Sequence, residues 1–553
     1  MTGTAIHIRK HALPAQARLW LAALCVVLAM LPGFHYCRYG LGLVDESYQI
    51  INAIDWRNTP LAPLTAALSH LLTLLTTDVL AFRLLSLGLS YAGILAAGLF
   101  AWRMTRRLLA STALTCAALW CTSFSHIQGW LYGWDTFAFF SLTLTLVATL
   151  AYVARPGLRA LLAVALATAF SVLCRLPDVA CMPAVGAAIL VASPKRAGGR
   201  AADLALYAGA TAALCLLCLT LLYGSPEDYA EALRRNMITG HTTAEIISGY
   251  KETVAWSLPY ALLWGGLYAV ALAATGTRVP AWAKAGAGLL CVAVSALVLR
   301  HFRITPTETL YLYMATFVSW STLCILLCRR TPRRWAIFIA VLGVALSLCA
   351  GTNTGFIKML TYALLPLIGI YLYGRVRTAY LLLTTLCVAA FTVAQIRYRP
   401  VYVFEDAGMA LATAQISSGP QRGLRTSPQK AAMIAAIQRD LRPYAEAGYK
   451  IKVLGRNFEK FGWELQYGDI NPALRHVWTS IDSTVPGYKE YIRSVARRPG
   501  KTAALWLAEL GRGDYLLHVP SSTRDEWETD TLEVYMERRP VSGPGYRIYV
   551  SRR

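Results

Sequence analysis

Two adjacent acids stand a few residues past the first apolar run, in the stretch VDESYQIINAIDWRNTP at 44–60. Asp45 and Glu46 are of the type that takes a proton from a hydroxyl, or holds a polar headgroup, at a membrane surface. Tyr48, Asp55, Trp56 and Arg57 follow them. The same residues would also suit a solvated loop with one polar face. A further acid, Asp135, ends HIQGWLYGWD (126–135) and opens the next apolar run. An Asp there caps a helix and suits its dipole on ordinary grounds. Yet it is the only acid between Asp78 and Asp178, and it is flanked by Trp130, Tyr132 and Trp134. Those aromatics fit either an interfacial belt or a sugar-stacking surface. Candidate cations are Arg175, beside Asp178 in CRLPD (174–178), then Arg303, and Lys358 at the end of GTNTGFIK (351–358). They could neutralise a lipid phosphate or simply balance the acids.

The chain that must position these residues is an apolar one. It has 553 residues, 56% hydrophobic and 15% charged, against about 25% charged in a soluble protein. Residues 1–396 carry 29 Lys and Arg with 13 Asp and Glu, and residues 397–553 carry 24 and 17. The first part reads as membrane and the second as one soluble domain. The net charge of +23 comes from short basic clusters between apolar runs, the pattern of cytoplasmic loops rather than of a nucleic-acid stripe. All 13 Cys lie in the membrane part, mostly inside apolar runs, and no disulfide or metal-thiolate set is expected.

A spanning helix needs about 20 apolar residues. Thirteen runs qualify: 19–36, 79–101, 108–125, 136–153, 158–173, 179–192, 204–223, 256–275, 285–299, 310–328, 335–350, 359–373 and 379–396. The first follows a basic tail, lacks a small-residue cleavage site and is expected to be a retained signal-anchor. Segment 61–78 reads as an interfacial or re-entrant piece. With the N-terminus in the cytoplasm, 19 basic residues fall inside and 9 outside, with Arg83 within a span, while 12 of the 13 acids fall outside. The C-terminal 157 residues then face the periplasm of a bacterial inner membrane. There, 428–444, 484–498 and 501–510 read as helices. The segments 450–455, 514–519, 532–537 and 545–551 read as strands, the last two as a hairpin around Gly543 and Gly545. The expected fold class is a mostly α polytopic membrane protein with a C-terminal α/β domain.

This order of features resembles the membrane glycosyltransferases of the glycosyltransferase C (GT-C) superfamily, the protein-mannosyltransferase and lipid A aminoarabinose transferase type. The resemblance is carried by the Asp45-Glu46 pair after the first span, the Thr59-Pro60 segment beside an apolar helix, and the span RLLSLGLSYAGILAAGLFAWRMTRR at 83–107. Asp135-Thr136 and Phe139-Phe140 at the start of the fourth span extend it. It covers roughly 37–195 and continues as an architecture through 396. Relatives place two Pro, or Lys-Pro, where this chain has Thr59-Pro60-Leu61-Ala62-Pro63, and a Lys where Arg175 stands.

The resemblance implies inverting transfer of a sugar from a polyprenyl-phosphate-linked donor to an acceptor hydroxyl on a glycolipid, cell-wall glycan or protein. In that chemistry Asp45 would act as base, with Glu46 and Asp135 completing the catalytic set. Tyr48, Arg57, Arg175, Arg303 and Lys358 would bind substrate, with Arg175 and Arg303 facing the departing lipid phosphate. No cofactor is expected; acidic outer loops could hold a divalent ion, but no ligand spacing demands one. The partners expected are the lipid-linked sugar, membrane lipid and the acceptor, and not nucleic acid. The alternative is a lipid or sugar-lipid transporter, which should show two related halves and charges near mid-membrane. A non-catalytic receptor is a further alternative and leaves the acidic outer loops unexplained.

Overall fold

The computed structural model describes residues 14–42, 45–54, 56–125, 131–192, 195–237, 243–276, 280, 282, 308–327, 360–374, 376–400, 402–403, 406–455, 488–497, 500–507, 523–543 and 545–552. The apolar runs at 285–299 and 335–350, the run at 514–519, Asp55, Arg303 and Lys358 lie outside them.

The chain is mostly helical up to Tyr398. Its helices are α1 (Ala15–Tyr36), α2 (Asp45–Ile54), α3 (Pro63–Thr73), α4 (Val79–Thr105), α5 (Leu108–Phe124), α6 (Trp134–Ala154), α7 (Leu158–Cys174) and α8 (Cys181–Ala192). Then follow α9 (Ala197–Tyr223), α10 (Pro226–Met237), α11 (Thr243–Gly276), α12 (Glu308–Leu327), α13 (Leu360–Leu372) and α14 (Arg377–Tyr398). Among the described residues six of these are long and apolar enough to cross a membrane, namely α1, α4, α6, α9, α11 and α14. Shorter apolar helices at 108–124, 158–174, 176–191, 312–327 and 362–372 accompany them. Segment 61–78 contains the 11-residue α3, too short to span.

Small and hydroxylated residues let the helices approach, as expected where lipid is as apolar as leucine. A Cβ at Gly33 would meet Tyr91, and one at Gly98 would meet Thr115. The Tyr91 hydroxyl donates to Met30 O at 2.8 Å and pairs with Ser123 Oγ at 2.8 Å, joining α4, α1 and α5. Large side chains such as Leu24, Leu28 and Leu31 stay exposed on α1, the face that suits lipid.

Charge separates by helix end. One end gathers the close of α1, α5, α7 and α14 with the start of α4 and α6, because Arg83 reaches Cys37 O, Ser86 pairs with Thr136, and Arg399 reaches Ser123 O and Ser125 O. The opposite end carries Arg103, Arg106, Arg107, Arg155, Arg159, Lys195, Arg196, Arg200 and Arg377, with Asp203 bonded to Lys195 at 2.6 Å. The acids Glu46, Asp78, Asp135 and Asp178 all stand at the first end.

Beyond α14 the chain forms two short two-stranded pieces, β1 (Tyr402–Val403) with β2 (Asp406–Ala407) and β3 (Ala414–Gln415) with β4 (Arg425–Thr426), then a helix at Pro428–Glu446 and a four-stranded sheet. The sheet strands are β5 (Lys450–Gly455), β6 (Thr502–Leu507), β7 (Met536–Arg539) and β8 (Tyr546–Ser551), in the order β5-β6-β8-β7. β5 and β6 are parallel, and the other pairs are antiparallel. Two expectations fail here. Residues 502–507 form the inner strand β6 rather than a helix, and 532–535 continue the helix Thr523–Tyr535 before β7 begins at Met536. Strand β6 pairs on both sides and buries Ala503, Ala504 and Leu505. A strand buried this way shows a continuous apolar run without alternation. The β7–β8 hairpin around Gly543 and Gly545 is present.

This region joins the acidic helix end directly. Arg425 N donates to Arg38 O at 2.7 Å, Gly40 N donates to Arg425 O at 3.0 Å, and Val79 N donates to Pro420 O at 2.8 Å. A shared apolar cluster containing Leu41, Ile50, Val79, Phe82, Ile416, Leu424, Ile434 and Ile437 buries the seam.

Candidate active site

Glu46 sits one residue into α2 and turns inward. Its Oε2 accepts from Arg83 Nη2 at 2.7 Å and from Nε at 2.9 Å, and both side chains are 1–2% exposed. Arg83 Nη1 donates to Cys37 O at 2.9 Å and Tyr39 O at 3.1 Å, which fixes the exit of α1. Glu46 Oε1 accepts the Tyr132 backbone N–H at 3.1 Å, which fixes the approach to α6. Burial pushes the Glu46 carboxyl up, and Arg83 and the Tyr132 amide oppose that. Gly42 makes room for the pair: it has a φ of +54°, and a Cβ there would meet the Glu46 carboxylate and Arg83. Glu46 is therefore a clamp between three segments. Its oxygens are occupied within the protein, so a direct role toward a sugar hydroxyl does not fit its placement.

Asp45 is the first residue of α2; its backbone is described and its side chain is not. Tyr48 lies inside the apolar cluster, 6% exposed, with a hydrogen bond to Asn52. Arg57 is exposed, its guanidinium 5.4 Å from the centroid of the Trp56 ring. The Trp56 ring in turn packs on Tyr223 and His70, at 5.9 and 6.3 Å. The contacts described for Tyr48 and Arg57 do not bring them to Asp135 or Arg175.

Asp135 and Arg175 do meet. Asp135 lies in the first turn of α6 and Arg175 follows the last residue of α7, so each charge also suits the dipole of its helix. Asp135 Oδ1 is 3.5 Å from Arg175 Nη1, with Asp135 43% exposed and Arg175 4% exposed. Asp178, only 4% exposed, approaches the same nitrogen at 3.9 Å. Its Oδ2 accepts from Ser171 Oγ at 3.0 Å. Pro177 disfavours helix in the residue before it, and α7 stops at Cys174, leaving 176–180 as a tight turn. The Asp178 carboxyl stands raised to about 7, the net of burial, which pushes it up most, Arg175 and Ser171, which pull it down, and Asp135, which adds a smaller push up.

α3 supports the turn from beneath. Thr65 Oγ1 donates to Cys174 O at 2.8 Å, Leu176 N donates to Leu61 O at 2.8 Å, and the Tyr132 hydroxyl bonds Ser69. The clamp and the Asp135–Arg175–Asp178 group are thus linked through the short stretch from Tyr132 to Asp135. A buried guanidinium at an apolar boundary, opposed by one half-exposed carboxylate, can exchange that carboxylate for a phosphate. Among the described residues, no three His, Cys, Asp or Glu side chains gather as a metal site.

Sequence reading placed Arg175 and Asp135 separately and did not pair them. It noted Arg83 only as a charge within a span and gave Asp178 no role. For Arg83 a signal existed: an ionisable residue in an apolar helix asks for a partner, and Glu46 was an acid at the neighbouring boundary.

No family profile matches the chain, and no curated protein matches it. Among solved structures, the crystal structure of ArnT from Cupriavidus metallidurans in the apo state aligns over 97% of this chain and 98% of its own length, with 13% identity and a TM-score of 0.45.

Proposed function

We propose that this protein is a membrane glycosyltransferase of the GT-C kind, moving a sugar from a polyprenyl-phosphate donor to an acceptor hydroxyl with inversion. The acceptor is a glycolipid, a cell-wall glycan or a protein. The reaction takes place on the membrane face opposite the basic helix ends, which in a bacterial inner membrane is the periplasmic face. The observation that carries this reading is the Asp135–Arg175 pair at the same helix end as the first residue of α2.

In this reading Asp45 takes the acceptor proton as the new bond from the acceptor oxygen to the anomeric carbon forms. The bond from that carbon to the phosphate oxygen breaks, and the polyprenyl phosphate leaves with its negative charge on Arg175. Asp135 gives up the guanidinium and turns to the sugar hydroxyls. Glu46 acts through position: Arg83 and Tyr132 tie the start of α2 to the approach to α6, so the base and the phosphate site hold one spacing. Arg303 and Lys358 remain candidate cations of the same site, and the segment after residue 396 is proposed as the periplasmic domain covering it.

The test is turnover of polyprenyl-phosphate-linked sugars by the purified protein in nanodiscs, with extracted glycolipid, cell-wall glycan or envelope protein supplied in turn as acceptor. Wild type is expected to release free polyprenyl phosphate. Asp45→Asn should lose about 10²–10⁴-fold in rate while melting normally, and Asp55→Asn should not. Movement of the lipid between leaflets without sugar release would instead establish the transporter alternative.

A further inference from the structure

Asp178 is buried beneath the site, and none of the roles above uses it. One guanidinium faces two carboxylates: Asp135 at 3.5 Å from the half-exposed side and Asp178 at 3.9 Å from the buried side. A phosphate arriving at Arg175 adds a third anion around one cation, and charges of one sign at this range in a low dielectric cannot all persist. Asp135 is exposed enough to turn to water. Asp178 is not. Its backbone N bonds Arg175 O at 2.9 Å, its Oδ2 is held by Ser171, and Pro177 stiffens the turn. The route left to it is neutralisation.

We infer that Asp178 takes up a proton from water when a phosphodiester lipid occupies Arg175, so that a neutral acid lies beneath a guanidinium–phosphate pair. The inference rests on the reading of Arg175 as the phosphate partner and adds a positioning residue to it. The titratable and charged groups facing Asp178 are Arg175 and Cys174 at the end of α7, Cys181 at the start of α8, and Asp135 from α6. The Leu61 segment brings a backbone carbonyl to the same turn.

A carboxyl held near 7 in the free protein rises when an anion joins its surroundings. Between the free and bound values, binding draws in a proton, so affinity falls as pH rises and levels off above the bound value. A shift of one unit corresponds to a tenfold change in affinity.

The experiment uses the full chain in micelles of a phosphate-free maltoside detergent, and the probe is the methyl diester of a C55 polyprenyl phosphate. A diester carries one fixed charge near neutrality, so every proton counted belongs to the protein. Binding is measured from pH 6 to 8.5, with calorimetry in two buffers of different ionisation enthalpy to count protons. Wild type is expected to bind roughly three- to tenfold more weakly at pH 8.5 than at pH 6, with net proton uptake just above pH 7. Asp178→Asn should flatten the profile, whereas Asp135→Asn should keep it. Ser171→Ala, which removes the bond that favours the charged form, should move the midpoint upward.

A slope that survives in Asp178→Asn, or a Ser171→Ala midpoint that stays put, overturns the inference. Wild type binding without proton uptake overturns it as well, and all three leave Arg175 as the phosphate partner. Failure of folded wild type to bind the diester, or full binding by Arg175→Gln, overturns that reading and this inference together.

Discussion

Two carboxylate–guanidinium groups lie at the same end of the helices, and they are built in opposite ways. In the Glu46–Arg83 group the contacts are short, both side chains are sealed from water, and four of the five guanidinium protons go to named acceptors. In the Asp135–Arg175–Asp178 group the contacts are 3.5 and 3.9 Å, and one acid is nearly half open. The first group binds three backbone segments, and removing any part leaves an orphan charge. The second has one replaceable member and one member that can be neutralised in place. A tight pair holds geometry; a loose one can trade a ligand.

The largest way to break this contrast is Arg83→Met. It leaves Glu46 buried without its partner, a change that costs about 3–5 kcal/mol when a buried pair is split. Denaturation in detergent micelles should show it, and Arg83→Met with Glu46→Leu should recover part of the loss. A single variant within about 1 kcal/mol of wild type would mean the clamp is no tighter than a surface pair. Next comes Arg175→Gln. Asp178 can there accept a proton, so stability should fall less than in Arg83→Met. Affinity for the polyprenyl phosphodiester should nevertheless drop by roughly 10–100-fold, the range for loss of a hydrogen bond to a charged group. Arg175→Lys should recover part of that affinity, because the point charge remains while the planar fork does not. Equal stability losses in Arg83→Met and Arg175→Gln would erase the distinction.

The smallest effect is expected at Arg422→Ala. Arg422 bonds Asp78 at 2.8 Å across the seam, but Arg422 is 64% exposed. Exposed pairs of this sort contribute about 0–1 kcal/mol. A larger fall in the melting temperature would place this contact with the clamp rather than with the surface.

The long helices were legible because apolar length is a strong signal: α1, α4, α6, α9, α11 and α14 all lie on runs marked in the sequence. The separation of acids from basic clusters was legible too, as a matter of which loop each charge occupies. The pairing of charges was not. Glu46 and Arg83 are 37 positions apart and meet only because the exit of α1 folds back on the start of α4. Asp135 and Arg175 meet through the packing of α6 on α7, which a hydropathy pattern does not encode. Asp178 stands in the sequence only as an acid beside Pro177 between two apolar runs, and its burial is a product of the packing. In the sheet, β6 misled as a helix because both its faces and both its edges are covered.

The bridge between Arg425 and the exit of α1 has a consequence for biogenesis. Arg38, Tyr39 and Gly40 leave the first helix, and their backbone partner at Arg425 comes 386 positions after Tyr39. At synthesis rates of about 5–20 residues per second, that partner arrives roughly 20–80 s later. For that interval the first loop, with Asp45 at the head of its helix, has only the neighbouring helices to hold it. The acidic face is completed only once Arg425 has been made, so a chain truncated before Arg425 would insert its helices and still lack a closed first loop.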